Sequence, residues 1–444
     1  MLNLGHVIEG VCGYRMVASA QVITDVVIDS RRTIPGSLFV AFSGERVDGH
    51  DYVQDAFRQG AVAALVEQTR PGDYRVVDAR QPITPELAGE LALDDCPGAQ
   101  PICIVVDDTL TALQRFAAYW RARHAPRVIG ITGSVGKTTT KELVHAVLSS
   151  RYRTLRSEGN LNNEIGLPLT LLHLTDTHER VVLEMGMYAG GEISTLAEIA
   201  RPHVGVITNV GPVHLERLGS VQAIADAKAE LVEALPPAPQ GVAILNHDDP
   251  LVRAMAKRTR ARVFSYGLSS QAELWADDIE GAGLDGIRFS LHYQGDTVRI
   301  RAPLLGRHSV HTALRAAATG LAEGMDWGGI VSGLQSDSPQ LRLVAVTGPN
   351  NSLLLDDTYN ASPASTFAAL NLLADLVPDK PPSAGGGRRV AVLGDMLELG
   401  AHEQSGHRLV GRRVSDVVDL LVTVGSLGQI IAEEALATGM SPDA

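Results

Sequence analysis

The order of apolar and polar positions divides the chain into short apolar runs separated by helical segments. Val128–Ile131 is an apolar run of strand length, and the chain has helix-forming character from Lys137 onwards. Comparable strand-like runs occur at Val181–Glu184, Val204–Asn209 and Val242–Asn246. Because strands that alternate with helices usually pair in parallel, this pattern predicts an α/β fold with a parallel central sheet and helices on both faces.

Residues 1–106 are predicted to form a smaller α/β unit. Its predicted strands are Val22–Asp29, Leu38–Phe42 and Ala61–Val66, and its predicted helix is Asp51–Gln59. An amphipathic helix at 109–124 is interpreted as the hinge into a second domain, residues 107–337.

Two later regions differ from the strand–helix alternation of the central part. Residues 274–303 alternate with a β period and have glycines at the turns, which predicts a hairpin excursion. A third domain, residues 338–444, has predicted strands at 352–355, 389–393 and 420–424, and predicted helices at 365–376 and 427–438. A Pro/Gly-rich loop is predicted at 378–387.

Composition narrows the class of protein. A length of 444 residues suits two to four domains, and the net charge of −13 argues against a general nucleic-acid binder. The three cysteines have no CxxC spacing, which favours a reducing compartment and buried structural thiols. No apolar run reaches the roughly 20 residues that a membrane helix needs, so we expect no membrane partner and a cytoplasmic location.

The segment RVIGITGSVGKTTTKE contains the clearest candidate site. A small-residue turn follows a buried strand and precedes a helix, as in loops that hold phosphate at a helix N-terminus. The lysine would reach the terminal phosphates and the first threonine would hold Mg²⁺. A plain turn with a surface lysine is the alternative, which the Gly-Lys-Thr-Thr-Thr run disfavours. The predicted nucleotide-binding residues are Gly133, Ser134, Val135, Gly136, Lys137, Thr138 and Thr139.

Other polar side chains follow strands at the edge where parallel sheets bind ligands. Glu184 ends one apolar run and is a candidate Mg²⁺ ligand beside the phosphate loop. His214 follows the next strand, where both a metal-binding role and an ordinary surface histidine are open. Ser30 and Arg31 lie in a polar turn that could bind an anion or simply be solvated. By pattern alone, Lys228 belongs to the solvated face of a helix.

Taken in order, these motifs resemble the Mur ligases over nearly the whole chain. The segments that carry the resemblance are DSRRTIPGSLFVAFSGERVDGHDYV, TGSVGKTTTKE, GNLNNEIGLPLTLL, LEMGM, NVGPVHLERLGS, AKAEL, DDTYNASP and LGDMLELG. The resemblance implies three domains: an N-terminal domain for a UDP-linked substrate, a central ATP-binding P-loop domain and a Rossmann-like C-terminal ligase domain.

The resemblance also implies a reaction and its partners. ATP would convert the carboxylate of UDP-N-acetylmuramoyl-tripeptide into an acyl phosphate, which the amine of D-alanyl-D-alanine then attacks. The implied cofactors are ATP, Mg²⁺ at two sites and a carbamoylated lysine, and we expect a monomer. The alternatives are another Mur ligase, a folylpolyglutamate-type ligase, or a catalytically impaired nucleotide-binding relative.

Site roles are carried over from the family by position. Lys137, Lys228 and His214 are the implied catalytic residues, and Lys228 matches the carbamoylated lysine. Ser30, Arg31 and Asn360 are the implied substrate-binding residues. ATP contacts beyond the loop are implied for Asn162, His308, Arg342 and Asp357. Implied metal ligands are Thr138, Glu184, His214 and Lys228.

Three features depart from the family pattern. Ser309 and Thr312 replace two asparagines expected in the adenine segment, and Val135 replaces a commonly polar loop residue. A closing strand with a KGSR-like segment has no counterpart before Ala444, so we expect either a truncated chain or an incomplete third domain.

Overall fold

The computed structural model describes residues 1–14, 21–81, 100–212, 215–336, 344–376 and 387–443. The chain forms two compact units. The first contains residues 1–126, 155–179 and 195–201, and the second contains residues 127–154, 180–194 and 202–444. The predicted hinge helix belongs to the first unit, and the predicted division into three domains stays a prediction.

The strands of the described chain fall into four sheets. In chain order they are β1 Val26–Val27, β2 Leu38–Val40, β3 Ala63–Val66, β4 Arg75–Asp78, β5 Ile102–Val105, β6 Arg127–Thr132, β7 Thr154–Arg156, β8 Arg180–Glu184, β9 Val204–Ile207, β10 Val242–Asn246, β11 Arg262–Gly267, β12 Leu274–Gly281, β13 Ile287–Tyr293, β14 Asp296–Ala302, β15 Val344–Thr347, β16 Leu353–Asp356, β17 Val390–Leu393 and β18 Leu420–Thr423.

The helices lie mostly between these strands. They are α1 Leu4–Cys12, α2 Val53–Arg58, α3 Thr109–Ala122, α4 Lys137–Ser149, α5 Gly166–Leu172, α6 Glu192–Ala200, α7 Leu215–Leu218, α8 Val221–Glu233, α9 Pro250–Ala254, α10 Val310–Ala322, α11 Trp327–Gln335, α12 Pro363–Asp375, α13 Glu403–Val417 and α14 Gly428–Ala437.

The first unit contains a five-stranded sheet in the order β1-β2-β3-β5-β4, and all of its pairings are parallel. The central strands β3 and β5 are buried at every position, as expected for parallel strands covered on both faces. The predicted strands at 38–42 and 61–66 are confirmed with shorter bounds. The predicted strand at 22–29 is reduced to the two residues of β1.

The cysteines of the described chain are free thiols in the first unit. Cys103 is buried in β5, and burial raises the pKa of its thiol to about 12. Burial also raises the pKa of Cys12 to about 11. Both are therefore protonated at neutral pH, in agreement with structural thiols, while Cys96 lies outside the described residues.

The second unit is built on a nine-stranded sheet in the order β14-β13-β12-β11-β10-β9-β6-β8-β7. The strand pairings from β12 to β8 are parallel, which confirms the α/β fold class. The hairpin predicted at residues 274–303 is confirmed: β12 pairs antiparallel with β13, and β13 with β14. These strands also extend the same sheet. Their inward positions, including Phe289 and Leu291, join the core below α10.

Small residues let the helices on this sheet approach each other closely. A Cβ added at Gly333 of α11 would lie 2.4 Å from the Cα of Val147 in α4. Ala313, Ala316 and Ala317 of α10 are fully buried in the same core. The Ala-rich helix α10 thus packs closely against α4, the helix that follows the phosphate loop.

The C-terminal part of the second unit has its own core. The antiparallel pair β15–β16 and the parallel pair β17–β18 are accompanied by α12, α13 and α14. Val410 and Val414 of α13 pack with Ile431 of α14. The predicted Pro/Gly loop at 378–387 lies almost entirely outside the described residues.

Candidate functional site

The phosphate loop connects β6 to α4 through two glycines with left-handed backbone angles. Gly133 has φ 148° and Gly136 has φ 82°. A Cβ at Gly133 would lie 1.8 Å from the Thr208 Oγ1 atom, so no larger residue fits there without displacing the backbone. The turn after β6 therefore depends on glycine for both conformation and space.

The first half of the loop is held by the turn after β9. The Val135 N–H donates to the Asn209 Oδ1 atom at 3.0 Å, and the Asn209 Nδ2 atom donates to the Val135 carbonyl at 3.1 Å. The Ser134 N–H donates to the Asn209 carbonyl at 3.0 Å. These two amides are thus satisfied inside the protein, and the predicted anion-binding role falls on the N-terminus of α4.

Lys137 begins α4, and its Nζ atom donates to the Gly133 carbonyl at 2.9 Å. One turn later, Lys141 is completely buried, with its Nζ atom 3.3 Å from Glu142 Oε1 and 4.0 Å from Glu184 Oε2. Sequence reasoning did not single out Lys141. Its spacing of four residues from Lys137 was the available signal, because residues four apart share a helix face.

Glu184 ends β8 beside the phosphate loop. It pairs in register with Ile131 of β6, and its side chain is 1% exposed. The position of Glu184 agrees with the prediction that a carboxylate lies at the loop end of the sheet. A buried carboxylate near Lys141 is an oxygen donor suited to a hard cation.

Lys228 is buried in α8, where it is 2% exposed. The interpretation from pattern alone, a solvated helix face, is therefore wrong. Burial lowers the pKa of Lys228 well below its ordinary value, and the positive charge of Lys137 lowers it further. Loss of hydration penalises the ammonium form, so the structure favours a neutral, nucleophilic amine.

A cavity of about 800 Å³ lies within the second unit, beside the phosphate loop. Its volume is sufficient for a nucleotide-sized ligand. The polar and aromatic residues that line it include Thr139, Asn209, Asn246, His308, Ser309, His311, Thr312, Arg315, Asp357, Asn360 and Phe367. Three predicted residues outside the loop, His308, Asp357 and Asn360, are brought together here.

The segment that departs from the family asparagines forms one wall of this cavity. The Ser309 Oγ atom donates to the Leu305 carbonyl at 2.6 Å, and Thr312 Oγ1 accepts from Arg315 Nη2 at 2.8 Å. His311 Nε2 lies 3.0 Å from Asp248 Oδ2. Burial lowers the pKa of His311 despite this carboxylate. Arg315 and His311 were not predicted from the sequence.

Other predicted residues belong to the first unit or lie outside the described chain. Ser30, Arg31 and Asn162 belong to the first unit. Ser30 is buried, while Arg31 is exposed and its guanidinium contacts Asp29 at 2.7 Å. His214 and Arg342 lie outside the described residues, so their predicted roles stay predictions.

The described ranges hold no group of three or more His, Cys, Asp or Glu side chains placed to bind a metal. Mg²⁺ often keeps several waters and uses only one or two carboxylates together with substrate phosphates. Thr138 and Glu184 therefore fit a phosphate-supported Mg²⁺ site better than a site made of protein ligands alone. Where the chain is described, it has no helix of the length and apolarity needed to cross a membrane.

Family comparisons match three successive segments of the chain. The Mur ligase family catalytic domain matches residues 22–121, the Mur ligase middle domain matches 131–320, and the Mur ligase glutamate ligase domain matches 341–443. The UDP-N-acetylmuramoyl-tripeptide–D-alanyl-D-alanine ligase of Bacillus subtilis strain 168 is 38% identical over 420 residues, which cover 94% of this chain and 83% of that relative. The chain belongs to the Mur ligase family.

Solved Mur ligase structures share its architecture. MurF from Acinetobacter baumannii matches with a TM-score of 0.80 and 31% identity, covering 98% of this chain and 88% of that one. MurF ligase from Thermotoga maritima, solved in complex with ADP, matches with a TM-score of 0.75 and 25% identity, covering 93% and 87%. These likenesses confirm the predicted family and α/β fold class.

Proposed function

We propose that this chain is the Mur ligase that joins D-alanyl-D-alanine to UDP-N-acetylmuramoyl-tripeptide, using ATP and forming ADP. The enzyme acts in the synthesis of peptidoglycan precursors. The relative from Bacillus subtilis that carries this name aligns with 94% of the chain. A Thermotoga maritima neighbour with ADP supports the nucleotide.

The observation that carries the proposal is the arrangement of charged groups at the loop end of the central sheet. Lys137 begins α4, Glu184 ends the adjacent strand β8, and buried Lys228 is close enough for Lys137 to lower its pKa. Phosphoryl transfer depends mainly on positioning and on neutralising charge around the transferred group. A cation and a buried carboxylate beside a cavity supply both requirements.

The reaction needs activation because a carboxylate is a poor electrophile. An oxygen of the tripeptide carboxylate attacks the γ-phosphorus of ATP, and the bond to the ADP oxygen breaks. The amine of D-alanyl-D-alanine then attacks the acyl carbon and loses a proton, while inorganic phosphate leaves. We assign to Lys137 the neutralisation of the negative charge that accumulates on the phosphate in the first step.

We propose that the side chain of Lys228 carries a carbamate. Its neutral amine attacks CO₂, a nitrogen–carbon bond forms, one C=O electron pair moves to oxygen, and the nitrogen releases a proton. The low pKa that burial imposes on Lys228 supports this step, because only the unprotonated amine is a nucleophile. The resulting anion would join Thr138 and Glu184 as oxygen donors for Mg²⁺, which would supply charge neutralisation at the phosphates.

The decisive experiment measures phosphate release with all combinations of the four components. Purified protein with ATP, Mg²⁺, UDP-N-acetylmuramoyl-tripeptide and D-alanyl-D-alanine should release phosphate only when all are present. Replacing the dipeptide with a diamino acid or glutamate should abolish release. Phosphate release that does not depend on the dipeptide would exclude this ligase and favour a related one.

A catalytically impaired relative is the second candidate, because Ser309 and Thr312 replace expected asparagines. Lys137→Met separates the two cases. An active ligase should lose about 100-fold or more in turnover when a charge-stabilising donor is removed, whereas the exposed Lys257→Met control should retain its rate. An equal rate in both variants would indicate that the measured activity comes from a contaminant.

We also propose that the enzyme works as a cytoplasmic monomer. Light scattering during activity measurements tests the oligomeric state.

A further inference from the structure

Arg315 is a buried cation in the wall of the cavity. It lies in α10 and is 5% exposed. Its Nη2 atom donates to Thr312 Oγ1 at 2.8 Å and lies 3.4 Å from the position that a Cβ would take at Gly136 of the phosphate loop. The guanidinium is therefore close to the loop and borders the space available to a ligand.

The described protein provides few hydrogen-bond partners for this guanidinium. Its Nε atom is buried and has no hydrogen-bond partner among the described residues. Within the described ranges, Arg315 forms no ion pair at 4.0 Å or less. It also lies near the Tyr266 hydroxyl, where it opposes the rise that burial causes in the pKa of Tyr266. Neither Thr312 nor Tyr266 neutralises the buried charge.

Two nearby acids, Asp248 and Asp249, are engaged elsewhere. Asp248 Oδ2 lies 3.0 Å from His311 Nε2 and accepts from the Leu268 N–H at 2.8 Å. Asp249 accepts hydrogen bonds from the N–H groups of Leu251 and Val252 at the start of α9 and from the N–H of Val210. Because a buried charge without a counter-charge is unfavourable, a ligand in the cavity is the natural source of the missing interaction.

We propose that Arg315 is a further nucleotide-binding residue, whose guanidinium donates a hydrogen bond to an acceptor atom of the nucleotide. A guanidinium has donors only, so its partner must be an acceptor. Two parts of a nucleotide carry such atoms: the oxygens of the polyphosphate, and the ring nitrogens or carbonyl groups of the base. The inference rests on the proposed ATP-dependent function.

The test compares ligand affinities of wild type and Arg315→Met by calorimetry, with ADP, adenosine and GDP as probes. ADP should bind about 10- to 100-fold more weakly to the variant, because one charge-assisted hydrogen bond is lost. Arg299→Met, which removes an exposed arginine from β14, is the matched control and should bind ADP like wild type.

Adenosine identifies which acceptor is used. Unchanged adenosine affinity in Arg315→Met, with weakened ADP binding, assigns the contact to phosphate. Weakened adenosine affinity, with an altered preference between ADP and GDP, assigns it to the base. Both results support the proposal.

Thermal unfolding without ligand separates binding from structure. If Arg315 serves ligand binding, the ligand-free Arg315→Met protein should be as stable as wild type or more stable, because methionine removes the buried charge. ADP affinity equal to that of wild type would overturn the inference, as would a loss of ADP binding explained by unfolding in both Arg315→Met and the polar variant Arg315→Gln. If wild type itself does not bind ADP, the proposed function fails instead.

Discussion

Burial changes the chemistry of individual lysines in the second unit. Lys137 and Lys228 are both near the phosphate loop, but Lys228 is 2% exposed and has a strongly lowered pKa. In the proposed function, Lys137 would serve as a cation for phosphate and Lys228 as the amine that captures CO₂. The proposal gives the same side chain two roles because the two positions differ in hydration.

The pH dependence of stability should report the state of Lys228. Its folded-state pKa lies below its ordinary value of 10.5, so unfolding takes up a proton between those two values. Stability relative to Lys228→Met should then rise with pH in this window, by at most about 1.4 kcal/mol per pH unit. Thermal midpoints of both proteins, measured in CO₂-free buffer from about pH 7 to about pH 9, test this slope. Parallel curves would show that Lys228 is charged in the folded protein.

Sequence reasoning located some of these residues and missed others for a physical reason. Lys137 and Glu184 are fixed by chain position, because one starts the helix after the loop and the other ends a neighbouring strand. The burial of Lys228, Lys141 and Arg315 depends on which elements cover their helices. Helical spacing alone does not contain that information.

At the scale of elements, the phosphate loop takes its shape from the turn after β9. Asn209 exchanges hydrogen bonds with both the N–H and the carbonyl of Val135, and Thr208 Oγ1 donates to the same carbonyl at 2.8 Å. The turns that follow the adjacent parallel strands β6 and β9 are thus hydrogen-bonded to each other. This arrangement holds the turn that leads into the N-terminus of α4, where an anion is predicted to bind.

Gly133→Ala should disrupt the contacts between the phosphate loop and the turn after β9. The added Cβ would overlap Thr208 Oγ1 at 1.8 Å, and the φ of 148° strains any side-chain-bearing residue. We expect a loss of stability on the order of 3 kcal/mol and loss of ADP binding.

Gly219→Ala is the matched control. Its φ of 76° is also left-handed, but a Cβ there meets no atom within 4 Å, so only about 1–2 kcal/mol of backbone strain is expected. Chemical denaturation and calorimetry measure both effects. Equal losses in the two variants would show that the contact with Thr208 is unimportant.

In the central sheet, burial rather than length decided which strands could be predicted. The buried parallel strands β6, β8, β9 and β10 were found because continuous apolar runs distinguish them. In the first unit, β4 has mixed burial and gave no comparable pattern, although it is as long as β9. The antiparallel extension of the sheet by β12 to β14 was also missed, since alternation reveals a strand but not its partner.

At the scale of the whole molecule, the predicted ligand contacts are divided between the two compact units. Ser30 and Arg31 belong to the first unit, whereas the described residues that line the cavity beside the phosphate loop belong to the second. Each set of residues is held by local contacts within its own unit, such as that of Arg31 with Asp29. The affinities for the two nucleotide ligands should therefore respond to different substitutions.

Two substitutions should separate these affinities. Arg31→Ala should weaken the binding of UDP-N-acetylmuramoyl-tripeptide by about 10-fold, the cost of one charge-assisted hydrogen bond, and leave ADP affinity unchanged. Lys137→Met should weaken ADP binding by a similar factor without affecting the UDP-linked ligand. Arg32→Ala, which removes the exposed neighbour of Arg31, is the control for a general loss of positive charge. Calorimetry with each ligand alone gives the result, and an equal loss of ADP affinity in Arg31→Ala would contradict the separate roles of the two units.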